Sequence, residues 1–205
     1  MRTRRFGRTG LSVSELVFGG GWVGGILIHQ DDKTKVEAVR RALDAGINFI
    51  DTAASYGDGQ SEEALGWILK EVDQTPYLAT KFRLDLSERH DIKGQIEASV
   101  EASLKRLKRD SVDLVQLHNR IGPEGGGDIV SIDQVLGDGG IADVLDSLRE
   151  SGLTRFLGIT GLGAPGAVRE VIESGRFDSA QIYYNLLNPS AGQAMPEAWS
   201  GHDFG

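Results

Sequence analysis

The chain has no cysteine among its 205 residues. That removes disulfides, thiolate zinc sites and a cysteine nucleophile together. It also lacks a basic surplus, with 22 Lys and Arg against 30 Asp and Glu for a net charge of −8. A general binder of nucleic acid or of an anionic membrane would carry the opposite balance. Neither is therefore expected as a partner, although a small basic cluster for an anionic cofactor is compatible with the total. No apolar stretch approaches the ~18 residues of a membrane-spanning helix. The N-terminus, Met1-Arg-Thr-Arg-Arg-Phe-Gly-Arg8, is basic but lacks the roughly 7–15-residue apolar run of a signal peptide. A cytoplasmic protein is the expectation.

What is abundant is glycine, at 28 residues, about twice the average usage. Apolar residues at 40% and charged residues at 25% describe a chain that can build a core. Six short apolar runs recur, at Leu16–Gly19, Ile47–Asp51, Tyr77–Phe82, Val112–His118, Phe156–Thr160 and Ala180–Tyr184. Their starts lie about 24 to 44 residues apart, near the ~30 of one strand-plus-helix unit. Most are runs rather than alternations, as expected of strands buried on both faces of a parallel sheet.

Helical periodicity fills the intervals, over Lys33–Ala45, Asp91–Lys108, Ile141–Glu150 and Pro165–Ser174. A further helix carries Leu65, Ile68 and Leu69, with Ser61 as its expected cap. Arg4–Phe6 and Leu11–Val13 flank Gly7-Arg8-Thr9-Gly10 as a short hairpin. Gly19–Gly25, Gly122–Gly140 and the tail 188–205 read as irregular, the middle one as a loop.

Alternating β and α leaves an open doubly wound sheet or a (β/α)₈ barrel. Gly19, Gly21 and Gly24 have the G-x-G-x-x-G spacing, but Ile26–Gln30 separates them from the next helix. The dinucleotide fingerprint needs those glycines at a helix start, so the barrel is preferred. The expected fold is α/β, a TIM (β/α)₈ barrel with an N-terminal hairpin. It forms a single domain over residues 1–205, incomplete after about six βα units that run from 16 to about 190.

In such a barrel the functional residues sit at the C-terminal strand ends and in the loops that follow. Those positions hold Asp51, Tyr56, Lys81 and His118. Each has an ordinary structural explanation: a turn aspartate, a loop tyrosine, a solvent-reaching lysine, a hydrogen-bonded core histidine. Together they suit one reaction. A phenol with an ordinary pKa near 10 is a poor proton donor at neutral pH, and an adjacent ammonium improves it by stabilising the phenolate. A carboxylate holds that lysine charged and in place, and a neutral imidazole orients a substrate oxygen. A carbonyl that receives hydride at carbon and a proton at oxygen needs this set. A barrel lyase or isomerase using Lys81 as a Schiff base fits poorly, because that lysine must be neutral and Asp51 would keep it charged.

The chain resembles the aldo-keto reductases. The resemblance is carried by Gly46–Gly66, with its Asn-Phe-Ile-Asp-Thr-Ala-Ala-Ser-Tyr-Gly core, by Ala79-Thr-Lys-Phe82, by Ser99–Asn119 and by the Phe6–Ser14 hairpin. It spans residue 4 to about 190. It implies an NAD(P)H-dependent oxidoreductase that interconverts a small-molecule carbonyl and an alcohol, with NADP or NAD as cofactor and no metal. Tyr56 would be the general acid/base, assisted by Lys81, which Asp51 pairs, and His118 would orient the carbonyl. Gly20 and Gly21 would let the backbone approach the cofactor, Trp22 would wall the substrate, and Gln181 would bind the nicotinamide carboxamide. After the fifth strand many members carry Ser-Asn. Here Thr160 supplies only a hydroxyl and Gly161 no side chain, which resembles the sugar-dehydrogenase branch.

Six strands fall short of a closed barrel's eight, and about 250 residues is typical of the fold. The loops after strands seven and eight commonly supply its phosphate site. The expectation is a fragment of a longer reductase rather than a shortened homologue. Residues 1–205 alone would then be inactive, bind the dinucleotide weakly or not at all, and self-associate through open sheet edges. The other class of function to weigh is a non-catalytic regulatory or binding subunit on the same fold, as in potassium-channel beta subunits.

Overall fold

All six apolar runs lie in one parallel sheet. The computed structural model describes residues 1–87 and 91–192. It opens with a hairpin of β1 (Thr3–Arg5) and β2 (Ser12–Ser14), joined by a 3-10 turn at Gly7–Thr9. There follow β3 (Phe18–Gly19), α1 (Ile26–His29), α2 (Asp32–Asp44), β4 (Phe49–Asp51), α3 (Gln60–Glu71) and β5 (Tyr77–Phe82). The chain continues through α4 (Ile92–Leu107), β6 (Val112–Leu117), β7 (Arg120–Gly122), β8 (Ile129–Ser131) and α5 (Ile132–Leu136). It ends in α6 (Ile141–Glu150), β9 (Thr154–Thr160), α7 (Pro165–Glu173) and β10 (Ser179–Gln181).

The main sheet runs β3-β4-β5-β6-β9-β10 with every neighbouring pair parallel, curled into a half-barrel. Its outer face packs Ile50, Leu78, Val115 and Leu157 against the helices, among them Leu65, Ile96 and Val168. A smaller cluster lies inside, formed by Phe49, Ala79 and Leu114 with Phe156 and the hairpin's Phe6. Phe6 meets Phe49 edge to face, at 5.8 Å between ring centres. Because strand side chains alternate, residues two positions beyond this inner layer point to the same interior. Those residues are Asp51, Lys81, Gln116 and Gly158, and the hydrophobic floor therefore fixes which polar residues meet above it. No helix among the described residues is long and apolar enough to cross a membrane.

The differences from the sequence reading are local. Ser61 is not a cap. The helix starts at Gln60 behind Gly59, whose φ is 94°, and Ser61 is buried in the first turn, 2.8 Å from the Thr52 hydroxyl. The stretch 122–140 is not a bare loop. It holds part of the small β7–β8 pair and α5, which Ser131 and Gln134 close with a reciprocal capping box. Its glycines mask an element only five residues long. A four-residue α1 likewise begins after Gly25, where no helix was expected. The first strand is shorter than Leu16–Gly19, pairing only through Phe18 and Gly19. The sixth runs only over Ser179–Gln181 instead of Ala180–Tyr184, so Gln181, near the start of the expected run, is its last residue. Gln181 pairs with Thr160, the last residue of β9, so the ladder has no partner further on. Of the tail 188–205, residues 193–205 lie outside the described residues.

Candidate active site

Three adjacent strands deliver three of the four expected residues to one place. Asp51 ends β4, Lys81 is next to last in β5, and His118 directly follows β6. Tyr56 arrives from the loop before α3, which reverses sharply through Gly57, Asp58 and Gly59, all at positive φ. Two glycines make that run of left-handed backbone accessible.

The Lys81 ammonium, 2% exposed, donates to Asp51 Oδ2 at 2.6 Å, to the Thr52 carbonyl at 2.8 Å and to the Tyr56 hydroxyl at 3.2 Å. These partners account for its three protons. A buried charge needs such compensation, and the same contacts place positive charge beside the phenol oxygen. The His118 ring stands edge to face with Tyr56, at 6.0 Å and 83°. Its Nδ1 lies 3.5 Å from Ser55 Oγ. Burial pushes the His118 pKa from 6.5 down to about 4, helped by the charges of Lys81 and Arg83 and opposed by Asp51. The ring is therefore neutral at neutral pH and serves as a hydrogen-bonding group rather than a cation.

The expected cofactor and substrate residues gather less tightly. The Gly20 N–H donates to the Asp51 carbonyl at 2.9 Å. A Cβ on Gly20 would lie 2.5 Å from Ser61 Oγ, and one on Gly21 would lie 3.1 Å from the Tyr56 ring. Both glycines are thus held against the site. Trp22 is 71% exposed and touches His29 edge-on at 6.5 Å; it stands at the rim. Thr160 gives its proton to the Leu117 carbonyl at 3.1 Å, so its oxygen is left to accept. The Gln181 amide nitrogen lies 3.4 Å from Asp51 Oδ2. A cleft of about 340 Å³ runs past Tyr56, His118, Thr160, Leu162, Gln181 and Tyr183. A groove of about 600 Å³ on the outer face of α2 and α3 is larger, but none of these residues lines it. The smaller cleft is the one lined by Tyr56, His118, Thr160 and Gln181.

Sequence reasoning missed Gln116. Its amide nitrogen lies 3.2 Å from Asp51 Oδ1 in the buried interior. Strand alternation two residues before His118 was the available signal.

A family model described as "Aldo/keto reductase family" matches residues 15–203. The chain belongs to that family. Its members are in general NAD(P)H-dependent oxidoreductases. Among curated relatives, the Bacillus subtilis aldo-keto reductase YhdN is 38% identical over 74% of this chain and 44% of its own length. The L-galactose dehydrogenase of Arabidopsis thaliana is 34% identical over 78% of this chain and 48% of its own. A probable voltage-gated potassium channel subunit beta of Oryza sativa is 34% identical over 58% and 37%. The chain thus spans about half the length of the curated relatives it matches. The solved aldo-keto reductase AKR11C1 from Bacillus halodurans, in its holo form, aligns with a TM-score of 0.74 and 28% identity. That alignment covers 97% of this chain and 61% of the solved one.

Proposed function

We propose that these residues form the acid/base centre of an oxidoreductase that interconverts a carbonyl and an alcohol with NADPH or NADH. The observation that carries the reading is the single ammonium of Lys81 bonded at once to Asp51 and to the Tyr56 hydroxyl, beside a neutral His118. In the reductive direction Tyr56 gives its proton to the substrate oxygen, and Lys81 stabilises the phenolate left behind. Asp51 keeps that ammonium in place. His118 donates a hydrogen bond to the same substrate oxygen and fixes its approach to the phenol. In the oxidative direction the phenolate takes the alcohol proton back.

The dinucleotide, when bound, supplies or accepts the hydride. Gly20 and Gly21, packed against Ser61 and the Tyr56 ring, would offer it backbone without side chains. Gln181 has an amide to offer its carboxamide, and Thr160 an accepting oxygen. Trp22, at the rim, would meet the substrate. A sugar-type substrate is the finer reading, supported by the Thr160-Gly161 departure after β9 and by the L-galactose dehydrogenase relative.

The potassium-channel relative favours a second reading, a non-catalytic subunit on this fold. One substitution separates the two. In the full-length protein Tyr56→Phe should lower the rate of carbonyl reduction by at least about 100-fold, the low end of what general acid catalysis contributes. An unchanged rate removes Tyr56 from proton transfer and favours the binding subunit.

A further inference from the structure

Asp51 has two carboxylate oxygens with different neighbours. Oδ2 takes the Lys81 ammonium at 2.6 Å. Oδ1, on the far side, takes an amide proton from Gln116 at 3.2 Å. Gln116 is 3% exposed and sits directly opposite Lys81 in the β5–β6 register. We infer that Gln116 is a positioning residue, holding Asp51 through Oδ1 so that Oδ2 is presented to Lys81, and that the bare backbone of Gly158 leaves it room to do so. The inference rests on the acid/base reading above and extends it by one residue.

Two independent observations support it. The first is the bond itself. A carboxylate held at one oxygen alone can swing about its Cβ–Cγ bond, and a donor on the second oxygen removes that freedom. Hydrogen bonds to ionised acceptors are also the stronger kind. The second is space. Gly158, on β9, is opposite Gln116 in the β6–β9 register. A Cβ there would lie 3.0 Å from Gln116 Cγ, 2.7 Å from Ser179 Oγ and 3.2 Å from a Leu114 methyl. Gly158 has no left-handed φ to explain it; it is flanked by Ser179 on β10 and Gln116 on β6, and a side chain there would press on both. Strand interiors disfavour glycine unless something approaches closely.

The test is a double-mutant cycle on carbonyl reduction in the full-length protein, with thermal unfolding of each variant as a control. Gln116→Leu removes the donor and keeps the bulk. Its kcat should fall about tenfold, while KM for the carbonyl and Kd for the dinucleotide stay within about twofold. Combined with Asp51→Asn, the same change should cost nothing further, because a residue acting through Asp51 has nothing left to position. Gly158→Ala, which crowds Gln116 and Ser179 without touching Asp51, should reproduce the kcat loss in milder form and, made together with Ser179→Ala to relieve the nearer contact, serves as the probe if Gln116→Leu fails to fold. A normal kcat in Gln116→Leu, or a full additive loss on top of Asp51→Asn, overturns the inference and leaves the acid/base reading standing. An unchanged rate in Asp51→Asn alone overturns both.

Discussion

Two arcs of the same barrel mouth are built differently. Along β4, β5 and β6 the polar residues satisfy one another. Lys81 uses all three protons, Asp51 is held at both oxygens, and Tyr56 and His118 stand ring to ring. Along β9 and β10 they are only loosely engaged. The Gln181 side chain makes one long contact, at 3.4 Å to Asp51 Oδ2, and the Ser179 hydroxyl has no hydrogen-bond partner among the described residues. The first arc is organised before anything binds, which is what electrostatic catalysis requires. The second offers hydrogen-bonding groups that a ligand can take up. On the function proposed above, proton chemistry and ligand capture would fall to different strands, and the two can be perturbed separately.

The largest effect should come from the centre of the first arc. Lys81→Met leaves the Asp51 carboxylate without its cation beside a buried interior. Breaking one side of a buried pair typically costs 3–5 kcal/mol, and a loss of about 3 kcal/mol is expected in urea unfolding, with carbonyl reduction abolished. The double change Asp51→Asn with Lys81→Met should restore part of the stability and none of the activity. A single Lys81→Met as stable as the parent would dissolve the contrast between the arcs.

Next comes the support beneath the Tyr56 loop. Glu62 is fully buried at the start of α3, accepting from the Thr80 hydroxyl and pairing with Arg106 at 2.7 Å. It ties α3 to β5 and α4, and the loop bearing Tyr56 enters this helix. Glu62→Gln keeps an acceptor for Thr80 and removes the charge opposite Arg106. A cost of about 2 kcal/mol is expected from the charge-assisted bond, with a smaller kinetic effect than Lys81→Met. An activity loss equal to that of Lys81→Met at unchanged stability would place Glu62 in the reaction itself.

How much of this was legible in the sequence follows from the same contrast. The strands that build the first arc are long enough to be seen as runs: Tyr77–Phe82 was read to the residue and Val112–Leu117 to within one position. Asp51, Lys81 and His118 were then found by looking at strand ends. Tyr56 came from the loop after the second apolar run, where its chemistry beside Lys81, rather than any periodicity, singled it out. The second arc was harder. β10 is three residues long, and its end is fixed by where β9 stops, a fact about the neighbouring strand. Ser61 offered a local capping signal that tertiary contact with Thr52 overrode. Gln116 lies inside an apolar run, which hides it, although it shares a face with His118.

A more modest effect concerns pH. Because His118 falls from 6.5 to about 4 on folding, the unfolded chain binds more protons than the folded one between those values. Stability therefore rises with pH across that window. The contribution is fully present above about 6.5 and is lost as pH falls through about 4. His118→Phe should flatten that part of the stability curve, measured by denaturant midpoints at half-unit pH steps. The parent should also retain a neutral His118, hence a hydrogen-bonding imidazole, down to about pH 5, provided the fold persists. An unchanged slope in His118→Phe would mean that the ring is no more buried than in the unfolded chain.

The smallest effect on the fold should come from Gln181→Ala. The residue is exposed at the end of an edge strand, and its backbone carbonyl, which takes the Gly161 N–H at 2.8 Å, survives the change. Only the 3.4 Å contact to Asp51 is lost, so stability should move by less than about 0.5 kcal/mol. Dinucleotide affinity, followed by fluorescence titration in the full-length protein, should weaken about tenfold, since an amide that both donates and accepts has no substitute there. The comparison is sharpened by reading kcat as well. If Gln181 serves capture alone, kcat at saturating dinucleotide stays within about twofold. If kcat falls with affinity intact, the 3.4 Å contact to Asp51 matters more than the exposed amide, and the two arcs are one machine.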